Sequence, residues 1–432
     1  MKVLAQRISN NLRYAKVFEW GKLITITGGA QVLVQLTGFL SGIIIIRLLP
    51  IQEYAFYTLA NTMLGAMIML SDSGVGSGVM AESGKVWQDR EKMGRVLATG
   101  LNLRKRFAII SLLFTLPVLV YLLSSHGADW LTILLITGAI IPSALAALSD
   151  SLLEIAPKLH QDIKPLQRNS AEVSVIRLAL SGLLVFFAPF TFSALFANGL
   201  PRIYGNYKLR KLGERFASVN ESPDPIIQEA IIRGVKRTLP IVIYSCLSGQ
   251  LTIWLISFFG KTDGISQIGA LSKIGALFNL VLIILSTLIV PRFSRMPVSK
   301  QGLLKYFLSI QVGTLAITLV LILGIWLFSD QILWVLGKNY EHLNYQLLLV
   351  GISNSIGLMV SVCSQLALSR GWFLNPYIII VINFVSVILS LTFFKMTSLV
   401  AILYFDITFL IITYLLAFAF GLFSIYKLPS AR

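Results

Sequence analysis

Cysteine, histidine and acidic residues are all scarce in this 432-residue chain. Its two cysteines, Cys246 and Cys363, both sit inside apolar runs, which excludes a disulfide framework and a cysteine-rich zinc site. The three histidines (His126, His160 and His342) are far apart, with no His-Glu-x-x-His or other paired-ligand spacing. A Walker A sequence is also missing: Ser73-Gly74-Val75-Gly76-Ser77-Gly78 is glycine-rich but lacks the spacing and lysine of a phosphate cradle. Only 13% of residues are charged, against about 25% in ordinary soluble proteins, and 56% are hydrophobic. A soluble enzyme of this length could not cover so much apolar surface.

What the chain has is apolar runs. They fall at 24–47, 53–71, 107–124, 130–148, 170–188 and 189–204, and, after a polar gap, at 239–259, 266–291, 304–328, 343–368, 375–394 and 398–425. Each approaches the roughly 20 residues that a membrane-spanning helix needs, and none shows the alternation of a membrane barrel. The sixth is the shortest, closing on Pro201 and Arg202. The fold class expected is therefore an all-α polytopic membrane protein of twelve transmembrane helices.

The net charge of +17 supports that count through its distribution. With the N-terminus in the cytoplasm, 30 of the 36 Lys and Arg residues fall on the inside and four, Arg47, Lys261, Lys338 and Lys395, on the outside. One span more or fewer would scramble this split, which is the one the positive-inside rule demands. The excess is a topology signal, so nucleic acid is not an expected partner. No short apolar core ends in a cleavage site, so the N-terminus reads as a retained cytoplasmic tail. The resulting division is a cytoplasmic amphipathic tail (1–22), a six-helix lobe (23–204), a basic cytoplasmic linker (205–236), a second six-helix lobe (237–426) and a cytoplasmic tail (427–432). In the first tail Leu4, Ile8, Leu12, Ala15 and Phe18 recur at helical spacing among cations. This tail and the linker are both expected to lie on the anionic inner leaflet. A faint echo between 54–60 and 265–271, each opening a span after a short outer loop, suggests duplicated halves.

Two cations remain inside spans: Lys273, on a small-residue face with Ser266, Gly269 and Ala276, and Arg177, on a face with Ser174 and Ser181. A charge in hydrocarbon costs at least about 2.5–3.5 kcal/mol, so both should face protein or a wet cavity. Asp406 is the clear deep acid and a candidate proton or ion site. Amides and hydroxyls line other faces: Gln31 and Gln35 in span one, Ser245, Ser248 and Thr252 in span seven with Gln250 beside them, Gln311, Thr314 and Thr318 in span nine, and Asn354, Ser361 and Gln365 in span ten. Such groups suit sugar hydroxyls, and the cations suit a phosphate or uronate. The plainer alternative is that they join helices by interhelical hydrogen bonds. Arg47 can snorkel to the outer interface. Asp72 can cap the helix that follows it, where the glycines fit a tight turn. The outer loops near 259–266 and 328–342 are too short for a membrane enzyme's catalytic domain, and no enzymatic activity or cofactor is expected.

The segment Arg47-Leu48-Leu49-Pro50-Ile51-Gln52-Glu53-Tyr54-Ala55-Phe56-Tyr57 resembles the Arg-Leu-Leu-Gly-Pro, acidic, Phe-Gly-x-Tyr pattern of Wzx-type polysaccharide or O-antigen flippases, members of the multidrug/oligosaccharidyl-lipid/polysaccharide (MOP) exporter superfamily. Asp72-Ser73-Gly74-Val75-Gly76 is similar to the Asp-x-Gly-x-Gly that follows span two in that family. Here Ala55 replaces a glycine, Leu-Gly-Pro is shortened to Leu49-Pro50, and Ala81-Glu82 stands where a basic residue is usual. The resemblance implies a V-shaped, MATE-like pair of lobes in the bacterial inner membrane, with both termini cytoplasmic. It implies ion-coupled alternating access, with H+ or Na+, moving an undecaprenyl-diphosphate-linked oligosaccharide outward. Lys273, Arg177 and Arg47 would meet the diphosphate and any acidic sugar. Gln31, Gln35, Asn61, Gln250, Asn354 and Gln365 would line the path of the glycan, with Asp406 as the coupling site. Polysaccharide polymerase and chain-length machinery are partners the resemblance allows. The competing reading is a multidrug-type antiporter of the same superfamily, which would want acids rather than cations in its cavity.

Overall fold

The structure is a computed structural model that describes residues 12–218, 221–259, 262–296, 299–372 and 398–427, with scattered positions between 378 and 388. The side chains of residues 12–27, 287, 291 and 295 lie outside the description. So do the apolar pattern of the N-terminal tail, most of the span expected at 375–394, and residues 428–432. All regular structure among the described residues is helical.

Residue contacts divide the chain into two compact units, Met1–Cys246 and Leu247–Arg432. The first contains α1 (Leu12–Leu48), α2 (Ile51–Asp72), α3 (Val75–Val86), α4 (Arg90–Ser125), α5 (Trp130–Leu153), α6 (Ile155–Leu159), α7 (Ile163–Phe187) and α8 (Thr191–Gly213). It also holds the start of α9 (Pro225–Phe259), which continues into the second unit. There follow α10 (Thr262–Leu271), a 3-10 turn (Ser272–Ile274), α11 (Gly275–Leu288), α12 (Val290–Arg295), α13 (Lys300–Leu327), α14 (Ser329–Leu336), α15 (Asn344–Ser369) and α16 (Leu399–Tyr426).

Nine of the described helices are long and apolar enough to cross a membrane, or ten if the bent pair α2–α3 counts as one span. The expected sixth span exists as α8, but it extends to Gly213 and carries too many polar residues to be counted with them. The molecule is an all-helical, multi-pass membrane protein, and twelve spans are compatible with it.

In the first unit, α2 is buried on nearly every side, with Tyr54, Ala55, Leu59 and Ala60 inaccessible, and packs on α4, α5 and α8. A helix apolar all round is suited to such a central place. Alongside, α1 packs on α7, and α7 on α8. In the second unit α15 occupies the middle, packing on α16, α13 and α11.

Between α2 and α3 the chain turns through Ser73 (φ 42°) and Gly74 (φ 89°), bending the pair by 42°. Gly74 is required twice over: its φ is left-handed, and a Cβ there would overlap Thr238 Oγ1. Asp72 holds the bend, accepting from the Gly76 N–H at 3.1 Å and pairing with Arg104 of α4.

Part of the linker packs into the protein. Ile231 and Val235 are buried and Ile227 partly so, in a core with Val75, Val79, Met93 and Val96; Ile226 alone of its isoleucines stays fully exposed. The preceding turn is tied to α4, because Arg90 donates to the Glu214 carbonyl (2.6 Å), Arg95 pairs with Glu221 (3.2 Å), and the Asp224 N–H donates to Thr99 (2.9 Å). These apolar residues of the linker fill the end of the first unit.

Candidate functional sites

The motif that joins α1 to α2 builds the first site by fixing α8. Thr191, at the start of α8, donates its N–H (2.7 Å) and hydroxyl (2.6 Å) to Glu53 Oε2, so a carboxylate sits at the positive end of that helix. One turn further along α2, the Tyr57 hydroxyl accepts from Asn198 Nδ2 of α8 at 2.9 Å. Tyr54 stacks on Tyr57, with centroids 5.8 Å apart. Asn61 of α2 donates to the Tyr57 carbonyl at 2.9 Å.

Arg177 of α7 lies within electrostatic reach of Tyr57 and of Arg202. Its guanidinium approaches α1 at Gly38, where a Cβ would stand 2.9 Å from Nη2, so any larger residue there would displace the guanidinium. Beside this contact Ser41 of α1 donates to Ser181 of α7 at 2.7 Å, within the serine face expected around Arg177. Arg177 Nε is buried with no hydrogen-bond partner, and the group has no acid partner among the described residues.

Several other acids of the unit are paired with other groups. Arg104 pairs with Asp72 and also donates to the Leu148 carbonyl and to Ser151. Asp150 accepts from Arg202 (3.2 Å) and from Asn206 (2.7 Å). Glu172 binds Arg168 (2.9 Å) and Lys208. Arg177 is therefore a cation beside a phenol and a second cation, Arg202, an arrangement that suits an anion.

The second unit holds the other site. Thr252 of α9 donates to Asp406 Oδ1 of α16 at 3.1 Å. Ser353 of α15 lies beside the same carboxylate, with its hydroxyl buried and outside hydrogen-bond geometry. Asp406 and Ser353, together with Asn279, Asn354 and Ser361, line a cavity of about 290 Å³. Gly275 brings α11 close to Asn354, whose Oδ1 would stand 3.0 Å from a Cβ at that glycine. Asp406 has hydroxyl neighbours and no cation partner among the described residues, so the cavity presents oxygen donors around one carboxylate.

The remaining sequence candidates are dispersed. Lys273 occupies the 3-10 turn between α10 and α11, half-buried and engaged with neighbouring groups, where the break interrupts the helical stripe with Ser266 and Ala276. Arg47 lies exposed at the last turn of α1 and is likewise engaged. Gln31 is exposed, while Gln35, Gln250 and Gln365 are half-buried. Gln311 performs the plainer role, joining α13 to α16 through the Tyr414 hydroxyl (3.3 Å). Sequence reasoning missed Asn198 and Ser353. The only signal for Asn198 was an amide in the middle of a short apolar run.

No protein-family model and no curated protein matches the chain. Solved structures do. An inward-facing multidrug resistance MATE family transporter of the MOP superfamily aligns at 14% identity with TM-score 0.73, covering 91% of this chain and 96% of the other. An outward-facing transporter of the same description gives 0.63 at 14% identity, covering 94% of each. A MATE crystal structure in complex with MaD3S gives 0.64 at 15%, covering 94% and 95%. At these identities the likeness is one of fold: the chain is folded as the MATE transporters of the MOP superfamily are.

Proposed function

We propose that the protein is a flippase, carrying an undecaprenyl-diphosphate-linked oligosaccharide from the cytoplasmic to the periplasmic leaflet of the inner membrane by ion-coupled alternating access. The observation that carries this reading is Arg177: a guanidinium within a membrane-spanning helix, without an acid partner among the described residues, beside Tyr57 and held against Gly38. A bare cation in such a place is costly unless its work is to meet an anion. A diphosphate supplies one and a uronate another, and Asn61 and Asn198 supply amides for hydroxyl groups of a glycan. Lys273 and Arg47 are further cations on the cargo's route, with Gln31, Gln35, Gln250, Asn354 and Gln365 as polar contacts. Asp406, in its cavity of hydroxyls and amides, is the coupling site for H+ or Na+.

The test is reconstitution in liposomes with a lipid-linked oligosaccharide whose sugar is labelled. Ion-gradient-dependent protection of the sugar from an impermeant reagent is expected, and its absence refutes the reading. A second reading, a multidrug-type antiporter, is favoured by the names of the structural neighbours. Transport of a cationic dye that survives Arg177→Gln and fails in Asp406→Asn would establish it instead.

A further inference from the structure

The C-terminal part of α8 presents a surface for which neither the fold nor the transport reading gives a use. Leu200, Tyr204, Tyr207, Lys208 and Lys211 recur at three- and four-residue spacing and so share one helix face. That face is open: Leu200 is 47% exposed, Tyr204 43% and Tyr207 57%. Along it the chemistry changes from aliphatic to phenolic to cationic. Lys208 Nζ stands 4.9 Å from the Tyr204 ring centroid, and Lys211 Nζ 4.6 Å from that of Tyr207. These are two successive lysine-over-tyrosine pairs at the same level of the molecule.

The surrounding charge is predominantly positive. On the last two turns of α8 and the turn after it, Lys208, Arg210, Lys211 and Arg215 stand against Glu214. On the facing helix Arg168 and Glu172 are paired with each other. Cations outnumber acids around this face. The same residues explain why α8 fails to qualify as an apolar span: its first half is apolar, and its second half has the composition of a headgroup zone, where aromatic rings and snorkelling lysines are at home.

We propose that this face is a docking site for an anionic phospholipid of the leaflet at which the C-terminal end of α8 emerges. The acyl chain lies along Leu200, the glycerol region meets Tyr204 and Tyr207, and the phosphate is bound by Lys211 and Lys208. Lys208 also bridges to Glu172 of α7, so a lipid seated there touches two helices and braces the α7–α8 pair.

The test uses the purified full chain in neutral detergent, titrated with phosphatidylglycerol or with phosphatidylcholine, with bound lipid counted by native mass spectrometry. Wild type is expected to retain phosphatidylglycerol preferentially. Each lysine near a lipid surface contributes about fivefold, so Lys208→Gln/Lys211→Gln should lower the preference roughly 25-fold. Lys208→Arg/Lys211→Arg should keep it. Lys85→Gln/Lys92→Gln, with the same loss of charge elsewhere, should also leave it intact. Because Lys208→Gln also unties Glu172, Lys211→Gln alone is the safeguard for folding, with an expected loss of about fivefold. A preference that persists in the Lys208/Lys211 glutamine variants, or that falls equally in the Lys85/Lys92 control, overturns the proposal.

Discussion

The Asp72–Arg104 pair can be broken from either side, and the two routes differ in cost. Arg104 is buried, with its side chain 5% exposed, whereas that of Asp72 is 40% exposed. Removing Asp72 leaves a buried guanidinium without its counter-charge and also takes the acceptor from the Gly76 N–H. Losing one partner of a buried pair costs about 3–5 kcal/mol. The lower end applies here, since Arg104 keeps the Leu148 carbonyl and Ser151. Removing Arg104 instead leaves Asp72 able to reach water and still accept from Gly76, so Arg104→Met should cost about 1 kcal/mol. In a unit of this size a kilocalorie shifts Tm by about 2–4 °C, giving roughly 6–12 °C for Asp72→Ala and 2–4 °C for Arg104→Met. The double variant should resemble Arg104→Met, because no stranded cation remains. Thermal unfolding in detergent of the two single variants and the double variant measures this order. A larger loss in Arg104→Met, or strict additivity in the double variant, refutes the reasoning.

Three other expectations follow from the same geometry. Gly38→Ala should raise helix stability by up to about 1 kcal/mol yet lower cargo transport severalfold, since its Cβ would displace the Arg177 guanidinium; melting and transport measured on the same preparation separate the two effects. Asp406→Asn should leave the protein folded, with Thr252 still in hydrogen-bond reach, and should abolish the dependence of transport on the ion gradient. The Lys92 N–H and side chain, then the Glu91 N–H, hold Asp89 below the usual aspartate range at the start of α4. The stability it adds is thus present above that range and lost as pH falls through its lowered value. Asp89→Ala should therefore lower Tm at neutral pH and make no difference in strong acid.

Spans were legible in the sequence because long hydrophobic runs are a one-dimensional signal. Eleven of the twelve expected runs fall largely on described helices, while 375–394 lies mostly outside the described residues. The face shared by Arg177 and Ser181 was legible too: both meet the same neighbouring helix, Arg177 at Gly38 and Ser181 at Ser41. Pairing across helices was not. Nothing in the spacing of Asp72 and Arg104, or of Asp150 and Arg202, distinguishes them from charges in solvated loops. Burial of the linker's isoleucines was not legible either, because periodic isoleucines beside cations suit a leaflet and a protein groove equally well. The stripe around Lys273 assumed a continuous helix, and the 3-10 turn at Ser272–Ile274 breaks it. Asp406 stood out as a lone acid, but its hydroxyl neighbours come from α9 and α15, far away in the chain.

The central claim is that Arg177 meets an anionic cargo, and binding tests it most directly. The measurement is the affinity of the detergent-purified full chain for a short-chain polyprenyl-diphosphate oligosaccharide, for wild type, Arg177→Lys and Arg177→Gln. A charge-assisted hydrogen bond contributes about 1.5–3 kcal/mol, so Arg177→Gln should weaken binding about 10- to 150-fold, with Arg177→Lys in between. An Arg177→Gln variant that binds the diphosphate as tightly as wild type contradicts the account.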